Sequence, residues 1–335
     1  MHGQRSHDRG CRLAAACPRR AGRSSSQRLL SLASRARPRP SPPGVSAGEI
    51  RALLSRHGLL ARRDLGQSFL VDEGVAARLV EFAGVSGQDL VIEIGTGLGI
   101  LTRALAARAK RVLTIEVDAG LVRVLRSEQL LPQNVELLHA DALEIDLTQL
   151  AQAAGDPARV VANLPYAVAS PLLRRLLEAR RELVDWSVLL QREVAERLLA
   201  RPGTREYGSL SVLHQLCVTV TRGPDLPPRC FFPAPRVVSR FVRLIPLKAP
   251  ILVPAELCEV ERLTRAAFGQ RRKTLVNALR GGLEPPPSTE TLLRVLADLG
   301  IDAHTRAEKL APERFVALVR TLRRVPTAVA AAGSA

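Results

Sequence analysis

The stretch from Leu90 to Gly99, reading LVIEIGTGLG, constrains this chain more than any other. Apolar, mostly β-branched residues run into Glu93 and Ile94, and glycines then recur at Gly95, Gly97 and Gly99. The segment behind them, ILTRALAARA, carries its apolar residues at helical spacing. An apolar run closed by glycines and followed by that pattern predicts strand, tight turn and helix. Glycine lets the backbone turn sharply and lets a ligand approach with no Cβ in the way. The helix start behind it offers N–H groups with no partner inside the helix. An ordinary glycine-rich turn with no ligand fits the same letters. The next predicted strand, RVLTIEVD, carries Glu116 at its tip, 21 residues after Gly95. An acid placed there is suited to hold a nucleotide ribose through its hydroxyls. Dehydrogenases share this geometry, so the cofactor class must come from elsewhere in the chain.

Around this unit, strands and helices alternate. Strands are expected at 90–95, 111–117, 135–139, 159–163 and 186–191, and helices at 99–109, 119–127, 169–181 and 192–200. That alternation predicts an α/β fold with a doubly wound, mainly parallel sheet and its ligand at the carboxyl ends of the strands. Segments 210–222 and 236–246 read as further, antiparallel strands. Upstream, GEIRALLSRHG and the stretch ending at Phe82 read as helices joined by a polar connector, ARRDLGQSFLVD. The proline-bearing linker IPLKAPILVPAE marks a boundary near 248–254, and 255–323 reads as helical except at LEPPPS. Four parts follow: a disordered basic tail at 1–47, an α/β domain at 48–248, a smaller all-helical domain at 249–325 and a frayed tail at 326–335.

Charge indicates the partner. The net charge of +17 favours a polyanion. Residues 1–47 hold ten arginines and one acid, so +9 of that total sits in the tail and +8 in the other 288 residues. This Arg- and Ser-rich leader fits an organelle transit peptide, an RNA-binding arm, or translated upstream sequence with a start at Val45. Aromatic residues make up only 3%, too few for an extended base-stacking platform. A phosphate-binding surface beside one stacking site suits that composition better. No apolar run reaches the roughly 18 residues of a membrane span. The five cysteines (11, 17, 217, 230 and 258) form no CxxC pair, so neither disulfides nor a metal site are expected.

Two further strand ends carry chemistry. The segment HADAL places Asp141 where a carboxylate can accept from an exocyclic adenine amine or, equally, cap the following turn. Asn163-Leu164-Pro165-Tyr166 is the more specific signal. An aromatic amine is a poor nucleophile because its lone pair is delocalised into the ring. An amide oxygen of Asn163 and the Leu164 carbonyl, accepting both N–H bonds, would localise that pair toward an incoming methyl group. Tyr166 would supply a face for the base to stack on. A buried turn with a core tyrosine is the alternative. In the helical part, Arg271, Arg272 and Lys273 form a basic run suited to phosphate contact, or to a solvated helix face.

The segments GQSFL, EIGTGLG, EVD, ADAL, NLPY, LQREVAERLLARPG, YGSLSV, FFPAPRVVS and FGQRRKTLVNAL occur in this order between Ala47 and Arg323. Together they resemble the rRNA adenine N6,N6-dimethyltransferases of the KsgA/RsmA type. The resemblance implies a Rossmann-like S-adenosylmethionine-dependent methyltransferase fold with an all-helical C-terminal RNA-binding domain. It implies cofactor contacts from Ser68, Leu70, Gly95, Gly97, Glu116, Asp141 and Asn163. Handling of the target adenine would fall to Asn163, Leu164, Tyr166 and a second stacking ring, Phe231, with Phe232 adjacent.

The implied reaction is dimethylation of two adjacent adenines in the 3′-terminal hairpin loop of small-subunit rRNA, during small-subunit biogenesis. The partner would be that rRNA or the immature subunit, the enzyme a monomer with no membrane association. Its setting would be the cytoplasm, or the mitochondrial matrix if the leader is a transit peptide. Four positions depart from the family pattern: Ser68 for Asn, Thr96 for Pro, AVAS after NLPY, and Val238 for Asp. The rival readings are an Erm-type large-subunit rRNA methyltransferase and a non-catalytic assembly or mitochondrial transcription factor of the same fold.

Overall fold

The computed structural model describes residues 46–62, 66–153 and 158–325. The expectations for both terminal tails, at 1–45 and from 326, lie outside the described residues.

Helix α1 (Ala47–Arg56) opens on a capping box: Glu49 N donates to Ser46 Oγ and Ser46 N to Glu49 Oε2. A two-residue strand β1 (Phe69–Leu70) leads to α2 (Glu73–Ala83), capped by Asp72. Then β2 (Leu90–Ile94), α3 (Ile100–Ala106), β3 (Arg111–Glu116), α4 (Ala119–Ser127), β4 (Val135–His139), α5 (Leu147–Ala153) and β5 (Ala158–Asn163) alternate. A single 3₁₀ turn (Tyr166–Val168) enters α6 (Ala169–Glu178). It is followed by β6 (Leu183–Gln191), α7 (Arg192–Leu199), α8 (Ser209–Gln215), β7 (Val218–Leu226), β8 (Phe231–Phe232) and β9 (Ser239–Pro246). Four helices follow among the described residues: α9 (Leu257–Gly269), α10 (Leu275–Gly282), α11 (Thr289–Asp298) and α12 (Pro312–Arg324).

The sheet order is β4-β3-β2-β5-β6-β9-β7. The first five strands are mutually parallel, and β9 runs antiparallel to both neighbours. All five residues of β2 are buried, as expected of a strand covered on both faces. Side-chain alternation divides the interior into two layers. Val160, Ala162, Val188 and Val242 join the cluster that continues through Leu257, Val260 and Phe315, so the C-terminal helices share a core with one sheet face. Val161, Leu189 and Phe241 join the N-terminal helices on the other. Because β2 and β5 are neighbours while their connections leave in opposite directions, a crevice opens between their carboxyl ends.

Local pattern misleads in several places. The expected strand at 210–222 begins as a helix, α8, and becomes strand only at Val218. Val212, Leu213 and Leu216 are buried there. Burial of each is worth about 1.5–3 kcal/mol, more than the propensity difference between helix and strand. Helix α5 and the antiparallel pair β1–β8 have no counterpart among the expected elements. The basic run at 271–273 lies in the turn between α9 and α10, not on a helix.

Candidate active site

The crevice at the β2/β5 switch is a cleft of about 970 Å³, including its open mouth. It is lined by Ser68, Leu70, Gly95, Gly97, Glu116, Asp141, Asn163, Leu164 and Tyr166. Nine of the residues expected from the sequence therefore meet in one place. The glycine turn closes its floor. Gly95 N donates to Ile115 O at 2.8 Å, fastening the turn to β3. Gly97 sits at φ +57°, and a Cβ there would come within 2.9 Å of the Phe69 ring. Only glycine fits both that backbone angle and that contact.

Glu116, 5% exposed, ends β3 facing this turn. Its Oε2 accepts from Gly97 N and its Oε1 from Asp118 N, both at 2.9 Å. Burial pushes its carboxyl upward, and the two amide bonds work against that push. Each oxygen keeps a lone pair for a further donor. Asp141, at the end of the β4 segment, accepts from Leu143 N at 2.8 Å through Oδ1. The turn-capping role and a place in the cleft wall thus coexist in one side chain.

Beneath the turn lies a polar group absent from the sequence-based set of site residues. Glu93 is fully buried in β2, and its Oε2 accepts from Thr102 Oγ1 at 2.6 Å and Thr114 Oγ1 at 2.7 Å. The Thr114 hydroxyl also meets that of Thr96 at 2.7 Å. Burial first, and the nearby Glu116 charge in addition, push the Glu93 carboxyl up to about 8 despite the two hydroxyl bonds. Its signal is present in the sequence as an acid inside an otherwise apolar strand.

The other wall is the end of β5. Asn163 Nδ2 donates to Ser68 O at 2.9 Å, leaving Oδ1 as the acceptor of that amide. The 66–70 segment straps across this end: a Cβ on Gly66 would lie 3.3 Å from Tyr166 N. Ser68 spends its hydroxyl on Pro233 O at 2.9 Å, so its side chain ties the strap to the 231–235 segment. Tyr166 is half-buried, and its Oη lies 2.6 Å from Ser239 Oγ. Burial pushes its phenol upward, so it stays neutral. Ser239 stands at the end of the FFPAPRVVS motif, yet no local signal ties it to a residue 73 positions away.

Phe231, the expected second stacking ring, stands apart from the nine expected residues that line the cleft. It is 3% exposed, belongs to the apolar cluster with Phe69, Leu70 and Phe241, and does not line the cleft. Antiparallel pairing sets Leu70 opposite Phe231 and Phe69 opposite Phe232, and successive side chains face opposite ways. Phe231 thus projects from the same face of the pair as Leu70 and is buried there, and Phe232 from the same face as Phe69. Phe232 is partly exposed and carries the Arg51 guanidinium 5.3 Å from its ring centroid. Arg271, Arg272 and Lys273 are exposed and stand apart from the cleft. Arg271 donates to Arg205 O at 2.7 Å and lies 3.7 Å from Glu308, which gives it a bracing role. Among the described residues no group of three or more His, Cys, Asp or Glu could hold a metal ion. No helix among them is long and apolar enough to cross a membrane.

Comparison with known proteins agrees with this geometry. Residues 58–324 match the family model described as ribosomal RNA adenine dimethylase. The chain is 44% identical over 294 residues to the Ribosomal RNA small subunit methyltransferase A of Rhodospirillum rubrum, covering 87% of this chain and 96% of that protein. It is 40% identical over 274 residues to the protein of the same name from Magnetococcus marinus, covering 82% and 96%. Among solved structures, a dimethyladenosine transferase from Plasmodium falciparum superposes with a TM-score of 0.62 at 27% identity, covering 75% of this chain and 95% of that one. The 23S rRNA methyltransferase ErmE superposes at 0.55 and 26% identity, covering 76% and 100%.

Proposed function

The chain belongs to the ribosomal RNA adenine dimethylase family, and on that premise we propose that it dimethylates the N6 amines of two adjacent adenines in the 3′-terminal hairpin loop of small-subunit rRNA, using S-adenosylmethionine. The observation that carries the reading is the end of β5, where an Asn163 amide oriented by Ser68 O stands three residues from a cleft-lining tyrosine. Small-subunit rRNA is favoured over large-subunit rRNA because the relatives at 40–44% identity are named for the small subunit. The structural neighbour named for 23S rRNA is 26% identical.

The residues present suit the cofactor. The cleft offers an acid at the tip of β3, a turn with glycines at 95, 97 and 99, and apolar walls at Val117, Ala142 and Leu143. Glu116 would accept from the ribose hydroxyls, Asp141 from the adenine amine, and Gly95 and Gly97 would let the rest approach the backbone. Leu70, with the Ser68 main chain, would close the cleft over it. S-adenosylmethionine supplies an electrophilic methyl group when bound.

The chain's own work is to make a poor nucleophile good. Asn163 Oδ1 and the Leu164 carbonyl accept the two amine N–H bonds and draw the lone pair out of the adenine ring, aimed at the methyl donor. Tyr166 stacks on the base and holds its plane. The alkylated amine is acidic enough to pass its proton to water, so no strong base is required. Unpaired loop bases suit this chemistry because splaying them out costs little. Arg272 and Lys273, in the α9–α10 turn of an RNA-binding helical domain at 249–325, would contact phosphates. The setting would be the cytoplasm.

The test is mass spectrometry of small-subunit rRNA from cells lacking the gene, followed by methylation of those subunits with purified protein. Loss and restoration of dimethyladenosine in the 3′-terminal loop is expected; loss in large-subunit rRNA instead would overturn the reading.

A further inference from the structure

We propose that Ser239 is a positioning residue for the target base, holding the Tyr166 ring at the tilt that stacking requires through the bond between their hydroxyls. The inference rests on the reading that Tyr166 stacks on the adenine.

Tyr166 needs such a hold. It opens a 3₁₀ turn of only three residues with no side-chain cap, directly after Pro165. One edge of the turn is fixed by the strap, where Gly66 approaches Tyr166 N. The ring itself extends into the cleft wall and must keep one face clear for a base. A ring held only at its Cα end turns about χ1 and χ2; a bond at Oη fixes χ1, and because the phenolic O–H lies in the ring plane it also favours one ring tilt about χ2.

Ser239 is well suited to provide the bond. It is fully buried and opens β9 inside the sheet, opposite Gln191 of β6 and Leu226 of β7. Arg192 N donates to Val238 O at 2.9 Å, which fixes the residue just before it. Sheet register on both sides therefore sets the position of Ser239 Oγ. The two hydroxyls lie 2.6 Å apart, and either can donate to the other. In this way an antiparallel strand that contributes no residue to the cleft lining holds the base-stacking ring in place.

The hold matters most at the second methyl transfer. An unmodified amine is steered by two N–H bonds, to Asn163 and the Leu164 carbonyl. A monomethylated amine keeps only one, so stacking carries a larger share of the orientation. Loosening Tyr166 should therefore release monomethylated product.

The test uses the full chain, S-adenosylmethionine and small subunits lacking the modification, with Ser239→Ala, Tyr166→Phe, the double variant and Ser239→Cys. Turnover, KM, the ratio of mono- to dimethyladenosine and cofactor affinity are measured for each. Ser239→Ala and Tyr166→Phe should each lower the second transfer about tenfold and accumulate monomethyladenosine, with cofactor affinity unchanged. The double variant should be no worse than Tyr166→Phe alone, because both changes remove one bond. Ser239→Cys, whose thiol is a weaker hydrogen-bonding group in either direction, should fall between wild type and Ser239→Ala. Losses that multiply in the double variant, or full dimethylation at the wild-type rate by Ser239→Ala, would overturn the proposal. If Ser239→Ala does not fold, full dimethylation by Tyr166→Phe overturns it equally well. A Tyr166→Ala variant as active as wild type would instead remove the stacking reading itself, a result distinct from multiplying losses.

Discussion

Asn163 and Ser68 lie 95 residues apart, and the Asn163 side-chain amide donates to the Ser68 carbonyl at 2.9 Å. That single bond settles which end of a two-ended group is presented to the cleft. With Nδ2 committed, Oδ1 is the end left to receive an amine proton. The bond also ties the 66–70 strap to the end of β5. Asn163→Ala removes both functions, and single-turnover methylation of undermethylated small subunits should slow by roughly 10²-fold or more. Asn163→Asp should do no better, since it turns a carboxylate oxygen toward a carbonyl. A rate within a few-fold of wild type for either variant would refute this role.

Cofactor affinity should depend on Glu116. Its two oxygens accept from Gly97 N and Asp118 N, so the carboxylate is held in place before any ribose arrives. Glu116→Ala should weaken S-adenosylmethionine binding by about 2–4 kcal/mol, the range for hydrogen bonds to a charged acceptor plus the donors left unpaired. Isothermal titration calorimetry on the folded variant measures it directly, and unchanged affinity would show that the ribose is held elsewhere.

The buried Glu93 makes stability depend on pH in a defined direction. Its carboxyl is raised from 4.5 to about 8 in the folded protein, mainly by burial. The folded state therefore holds the proton more tightly than the unfolded chain does. Its contribution is complete below the unfolded value, declines through the interval, and is lost as pH rises through about 8. Glu93→Gln keeps an oxygen for the Thr102 and Thr114 hydroxyls and has nothing to ionise. The stability gap between variant and wild type should shift in the variant's favour by up to about 1.4 kcal/mol per pH unit in that window. Urea denaturation at several pH values gives the gap, and a constant one would mean that Glu93 does not titrate there.

The basic turn should separate RNA binding from cofactor binding. Arg272 and Lys273 are exposed, whereas Arg271 braces Arg205 O. Replacing Arg272 and Lys273 with Gln should lower the salt dependence of rRNA binding by about one unit of slope for each phosphate that is no longer neutralised. Cofactor affinity and melting temperature should stay where they are. Replacing Arg271 should cost some stability as well. An unaltered salt slope in the double variant would place the phosphate-binding residues elsewhere.

The chain alone makes legible whatever is encoded over a few neighbouring residues. Strand, glycine turn and helix at 90–106 follow from an apolar run, three glycines and a change of period, and Glu116 follows from its distance along the chain. Asn163 and Tyr166 stand out because their chemistry is unusual at a strand end. Local letters are ambiguous where apolar residues pack equally well in either form, as at 209–215, and burial between layers decides for helix. They are silent where long-range register decides. Alternation says that Phe231 and Phe232 face opposite ways, but only packing against the N-terminal helices and Phe241 buries Phe231 and leaves Phe232 partly exposed. The bonds from Asn163 to Ser68 and from Tyr166 to Ser239 join segments whose separation in sequence bears no relation to their distance in space. They exist because β5 and β9 take particular places in one sheet and the β1–β8 pair brings the 66–70 segment to the end of β5, an arrangement set by the whole buried core rather than by any stretch of it.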